Sequence, residues 1–221
     1  MDIYTAALFI HLLLFVYWLG GDLGVFTLAL ALKNQKYSVD QRILLMRLSL
    51  TIDMLPRVCM ATIAPVGLYL AGTSGLVEYP QWLAVGLWLL ALVWISAEAI
   101  AFKNHGKPIA IKMYIVTGTI FLLLFLGYTG FGVYSLVNGK PFIAGWLSLK
   151  VFLFGLIFLV SILMAVFYAP LEAIFEQMKA EGSTPELEAA VQRQVNRGAF
   201  FTILLFLLLA TMGFLGLAKP L

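Results

Sequence analysis

His11, Asp22, Asp53, Arg57, Glu98 and Lys150 all fall inside long apolar stretches of this 221-residue chain, with Lys112 nearer the end of one. Ionisable groups in such surroundings are costly, usually face the interior of a helix bundle, and mark function by default. At about 100° per residue, Tyr4, His11, Trp18 and Asp22 lie in one narrow stripe of the first stretch. An imidazole there either bonds a neighbouring helix or serves as a metal or haem ligand. Asp53 and Arg57 stand at i and i+4 on one face. They are either a self-neutralising pair or a site where the guanidinium fork holds an anion such as a propionate. Lys150 shares a stripe with Ser161 and Tyr168. It either snorkels to the interface or meets a polar group at its own depth. Met54, Cys59 and Met60 bring three soft sulfur atoms close in sequence, but they do not share a helical face and read as packing. Glu98, after Trp82, Trp88 and Trp94, is expected at an interfacial rim, and His105, in a Lys/Gly/Pro connection, is expected to be solvated.

The elements that must position these groups follow from composition. The chain is 62% hydrophobic and 11% charged, against roughly 25% charged in an average soluble domain, and its mean hydropathy is +1.00. A soluble protein of this size could not hide so much apolar surface. The same numbers exclude a disordered chain. With Cys59 as the single cysteine, a disulfide-rich module and thiolate-based zinc or iron–sulfur sites are also excluded. Two histidines are too few for a bis-histidine dihaem cytochrome but enough for one haem.

Crossing about 30 Å of hydrocarbon takes roughly 20 apolar residues. Six stretches qualify: 3–32, 50–72, 82–102, 109–137, 142–169 and 198–218. Turn and charge signals separate them, and the longest break, 170–197, reads as polar helix extensions around Gly182-Ser183-Thr184-Pro185. Ser183 or Thr184 is expected to cap the helix that Pro185 begins. The apolar runs are continuous rather than alternating, which excludes a β-barrel. The expected fold is all-α, a single polytopic transmembrane bundle of six spans. Gly20-Gly21 and Gly24 read as points of close helix approach, and Pro56 and Pro65 are expected to interrupt and kink the second span.

Basic residues orient the bundle. The first, third and fifth connections carry Lys33, Lys36, Arg42, Arg47, Lys103, Lys107, Lys112, Lys179, Arg193 and Arg197; the other connections and the ends carry only Lys140 and Lys219. Both termini are therefore expected on the non-cytoplasmic side of a cytoplasmic (inner) membrane. A cleavable signal peptide is not expected, because the start lacks basic residues and the first apolar run is too long. The pI near 9.0 reflects the loop bias, and no nucleic-acid partner is expected. With these directions, Lys150 and His11 both lie about eight residues, roughly 12 Å, from the outer ends of their spans.

Several of these segments resemble a known family. His11-Leu-Leu-Leu-Phe-Val-Tyr-Trp18-Leu-Gly-Gly is similar to the opening helix of the bacterial HemJ-type protoporphyrinogen oxidases and of the related copper-resistance protein D superfamily. Trp146-Leu-Ser-Leu-Lys150 resembles that family's Trp-Leu-x-x-Lys, Arg193-Gln-Val-Asn196 its Arg-x-x-Asn, and Ala218-Lys219-Pro220-Leu221 its ending. The oxidases have four spans, whereas this chain adds 82–102 and 109–137, and Arg197-Gly198-Ala199 stands where they place a proline. The resemblance implies haem b on His11 and an activity-linked Lys150.

Two functional classes follow as expectations. In the first, the chain is a haem-b-binding membrane oxidoreductase. His11 is the metal ligand, and Trp18, Arg57, Lys150 and Asn196 complete the cofactor site. Lys150, Arg57 and Asp22 are the candidate catalytic groups. Its substrate is porphyrin-like or another small hydrophobic molecule, and electrons pass to a quinone or a membrane redox partner. Membrane lipid and a homo-oligomer are further expected partners. In the second, it is non-enzymatic, either a copper-resistance-type metal uptake component or an accessory or assembly subunit.

Overall fold

A computed structural model describes residues 2–220, which form seven helices and, among the described residues, no strand. They are α1 (Ile3–Ala31), α2 (Val39–Thr73), α3 (Gln81–Lys103), α4 (Pro108–Asn138), α5 (Gly145–Tyr168), α6 (Pro170–Glu181) and α7 (Pro185–Ala218). Six segments are long and apolar enough to cross a membrane, with α6 prolonging the α5 segment, so the chain is a multi-pass membrane protein. The expected spans lie within helices except that 3–32 runs one residue past α1, and 142–169 starts three residues before α5 and ends one residue after it.

The helix ends follow the local chemistry. Asp2 Oδ1 accepts a 2.6 Å hydrogen bond from the Thr5 N–H at the start of α1. Ser38 and Gln41 cap α2 reciprocally, the Gln41 N–H donating to Ser38 Oγ and the Ser38 N–H to Gln41 Oε1. Thr184 caps α7, accepting from the Leu187 N–H. Ser183 instead donates to Glu188. Helix α4 stops at Gly139, whose φ of +64° favours a residue without Cβ.

Helix α2 continues through Pro56 and Pro65 rather than being interrupted. Proline removes one N–H from the ladder, but the flanking turns hold it in place. Both rings are buried, and Pro56 serves a packing role. A Cβ on Gly21 would come within 2.6 Å of Pro56 Cγ, so the glycine lets α1 lie directly against α2. Of the other glycines expected at this contact, Gly24 leaves ordinary van der Waals room and Gly20 faces open space.

The spanning helices pack in a closed ring, in the order α1, α2, α3, α4, α5, α7 and back to α1. Side chains fill its centre. Trp94 meets Phe121 edge-on at 4.9 Å, Phe154 meets Phe158 at 5.0 Å, Tyr128 meets Phe154 at 5.0 Å, and Trp18 reaches Phe154 at 6.3 Å. Such edge-to-face pairs add about 0.5–1.5 kcal/mol each beyond area burial.

At 34 residues α7 is about 50 Å long, far longer than the hydrocarbon needs, so its first turns project beyond the spans together with α6 and the start of α2. These extensions pack on one another: Leu32, Ile43, Leu171, Phe175, Met178, Val191 and Val195 form a second apolar core. Arg42, 2% exposed, closes it with a bidentate fork, Nη1 to Glu188 Oε2 at 2.8 Å and Nη2 to Oε1 at 2.6 Å. Its guanidinium also lies over the Phe175 ring.

Arg42→Ala leaves Glu188 with the Ser183 hydroxyl alone, at an expected loss of about 1–3 kcal/mol, read as a lower thermal unfolding midpoint in detergent. The Arg42 hydrogen bonds hold the Glu188 carboxyl below its ordinary value of 4.5. That stabilisation is complete above pH 4.5 and is lost as the pH falls through the lower folded-state value. The wild-type midpoint therefore drops on acidification, and the Arg42→Ala midpoint drops less.

Candidate functional site

The buried polar groups separate into two layers, one on each side of the aromatic core. The first lies toward the end of the bundle that carries the termini. His11, eight residues into α1, rests against α2, where a Cβ on Gly67 would lie 3.1 Å from its Cε1. Nδ1 is buried and has no hydrogen-bond partner, while the Ile63 backbone, one turn from Gly67, faces the ring. Lys150 is the charged group whose field reaches this imidazole. Helix α5 begins at Gly145, so Lys150 is five residues inside it, about 7.5 Å, shallower than the expected 12 Å. Its ammonium lies beside Gly216, two residues from the end of α7, where a Cβ would come within 2.8 Å of Nζ. The side chain thus bridges from α5 to α7. It makes no ion pair among the described residues. At the rim, Tyr4 and Ser74 hydroxyls meet at 3.4 Å and tie the start of α1 to the end of α2.

The second layer lies toward the end with the basic connections. Arg57 Nε donates to Asp53 Oδ2 at 2.7 Å, and Nη1 donates to Glu98 Oε2 at 2.7 Å. The i,i+4 pair legible in the sequence is therefore one half of a bridge between α2 and α3. Glu98 is not a water-facing rim residue; it is 4% exposed and turned into the bundle. Its pairing with Arg57 had one faint signal in the sequence: it is the single acid of an otherwise apolar, tryptophan-rich helix. Asp22, on α1, is buried beside this bridge, one turn after Trp18. His105 is exposed and joins the α3–α4 connection to α6, its Nε2 lying 2.8 Å from Glu172 Oε1.

The residues expected around one porphyrin are thus distributed over the length of the bundle. Trp18, 2% exposed, belongs to the aromatic core. Arg57 is ten residues, about 15 Å, along α2 from the Gly67 seat, and both its arms are engaged. Asn196 Oδ1 accepts a 2.9 Å hydrogen bond from Lys33 Nζ, 22 residues and about 33 Å along α1 from His11. Cys59 and Met60 are buried in the core. Elsewhere, Tyr168 bonds Thr202 and Ser161 bonds its own helix at the Ile157 carbonyl.

For a haem, the fit is at the ligand. His11 supplies a buried nitrogen, Nδ1, without a hydrogen-bond partner, and the Ile63 backbone faces the ring. The aromatic core itself has no room: its cavity between Met60, Pro65, Trp94, Tyr128 and Phe158 is about 20 Å³, far below the roughly 300 Å³ at which ligand pockets begin. Among the described residues, no three of His, Cys, Asp or Glu come together as a metal site.

The Arg57–Glu98 bridge is expected to couple α2 to α3 energetically. A double-mutant cycle of Arg57→Ala and Glu98→Gln, followed by thermal unfolding in detergent, should give a coupling of about 1–3 kcal/mol. A value below about 0.5 kcal/mol would mean that the two side chains are screened and act independently.

Comparison with known proteins finds no matching family model, no matching curated protein and no matching solved structure.

Proposed function

We propose that this chain is a membrane oxidoreductase that carries haem b on His11, seated in a bacterial inner membrane with both termini on the non-cytoplasmic side. The observation that supports the reading is His11 itself. A buried imidazole nitrogen without a partner costs about 1–3 kcal/mol, a cost that ligation removes. Gly67 makes space for the ring, and the Ile63 backbone faces it. Lys150 stands at the same end with its ammonium against α7, suited to compensate a propionate or to deliver a proton. Haem b bound there supplies one-electron redox chemistry, at a potential set by axial ligation and the apolar surroundings. The chain's own contribution is to orient the imidazole, exclude water through the aromatic core and place one cation nearby. The partners this reading implies are a porphyrin-like or other small hydrophobic substrate and a quinone or membrane redox protein as acceptor.

A metal-uptake component would need polar groups spread continuously from one end to the other. The aromatic core lies between the two polar layers, so that reading has less support.

Protein purified in detergent from cells supplied with haem should show a Soret band, and His11→Ala should abolish it while the helical circular dichroism persists. A colourless wild-type preparation, even after haem supplementation, overturns the reading. Lys150→Ala is expected to keep the band but slow reduction or reoxidation.

A further inference from the structure

Arg57 is the one cation at the centre of the basic-end layer, and three carboxylates surround it. Asp53 and Glu98 bond it directly. Asp22 experiences the charges of both Asp53 and Arg57 but makes no ion pair with either. Two carboxylate oxygens of the group, Asp22 Oδ2 and Glu98 Oε1, are buried without hydrogen-bond partners. If all three acids were ionised, the layer would hold two uncompensated negative charges away from water, which buried groups avoid by neutralising.

A chelated metal does not fill this deficit, because the acids are not gathered as a ligand set. The remaining source of positive charge is a proton. Of the three acids, Asp53 and Glu98 already hold the guanidinium, and Asp22 is left with an unpartnered oxygen. The layer is less covered by protein on the Asp53–Arg57 side, its mouth, than around Asp22 and Glu98, its floor. The Arg57 and Asp53 side chains are 32% and 20% exposed, whereas Asp22 and Glu98 are 8% and 4% exposed. Toward the termini the floor is sealed by Trp18 and the Phe154 ring against it.

We propose that Asp22 is a proton-binding site, filled and emptied through the Asp53–Arg57 mouth at the basic end of the bundle and closed toward the other end by Trp18. The proton adds to Oδ2 of Asp22 and leaves by the same route, with no other bond made or broken and no change in electron count. The groups that bear on it are Asp53, Arg57 and Cys59 from α2 and the Trp18 indole of its own helix, which bonds the Asp22 carboxylate, with Glu98 of α3 and Tyr114 of α4 reached through Arg57. This site does not depend on whether His11 carries haem, since the aromatic core separates the two.

Infrared spectroscopy of the full chain in lipid nanodiscs at pH 7 tests it. A carboxylic-acid C=O stretch that shifts in D2O is expected in the wild type and is expected to vanish in Asp22→Asn. Labelling the aspartates with a carbonyl-carbon isotope should shift the same band in unmutated protein, so the test survives even if Asp22→Asn fails to fold. Absence of the band in the wild type overturns the proposal. So does a band that ignores the aspartate label or is removed by Glu98→Gln instead.

Discussion

Hydrocarbon gives a charged side chain nothing to bond, so every ion within the spans must find its answer inside the protein. Arg57 meets this demand with two carboxylates from two helices, and that bridge helps decide which faces the helices present. Asp53 lies one turn before it on α2, and Glu98 is 41 positions further along the chain on α3. For all three to meet, α3 must turn the face that contains Ala91, Trp94 and Ala97 toward the ring's interior. The aromatic core is built on that same face. Charge pairing and aromatic packing therefore specify the same rotation of α3.

The aromatic core has a second consequence. Trp18, Trp94, Phe121, Tyr128, Phe154 and Phe158 come from four helices, α1, α3, α4 and α5. With so little free volume between them, the layers above and below do not share water or ions. His11 and Lys150 then work in one environment, and Asp22 with its neighbours in another. The second layer is assembled from α1, α2 and α3, which bring Asp22, Asp53 with Arg57, and Glu98.

What the sequence makes legible follows the range of each interaction. Span positions depend on composition over about twenty residues, and hydropathy finds all of them. The Asp53–Arg57 contact depends on a spacing of four, and helical geometry finds that too. Glu98 and Glu188 are different. Each is paired with an arginine on another helix, 41 and 146 positions away, and no local pattern encodes such a partner. The start of α5 fails for another reason. Phe142 is buried among loop residues with Ala71 and Val77, and a hydrogen bond from the Ile143 N–H to the Leu76 carbonyl fastens that loop to its neighbour. Hydropathy cannot distinguish a buried loop from a buried helix, so Lys150 is placed too deep. The packing of α6 on α7 and α2 is hidden likewise, because polar residues on their outer faces read as simple extensions.

The two unpartnered carboxylate oxygens and the unpartnered imidazole nitrogen deserve to be weighed together. Serine and threonine bonds to carbonyls and ion pairs satisfy many polar groups of the spans, but among the described residues His11 Nδ1, Asp22 Oδ2, Trp94 Nε1, Glu98 Oε1 and Thr117 Oγ1 stand there without partners, and three of these five belong to ionisable side chains. Each orphan costs stability, and the His11 and Asp22 side chains take no part in the ion pairs that join the helices. Replacing His11 by a leucine-sized side chain or Asp22 by asparagine would, on folding grounds alone, be neutral or favourable. Stability therefore does not account for an ionisable side chain at either position. What they share is the capacity to gain a bond that folding leaves unmade, a ligand for the imidazole and a proton for the carboxylate, and that capacity is the physical basis for placing function at these two points of the bundle.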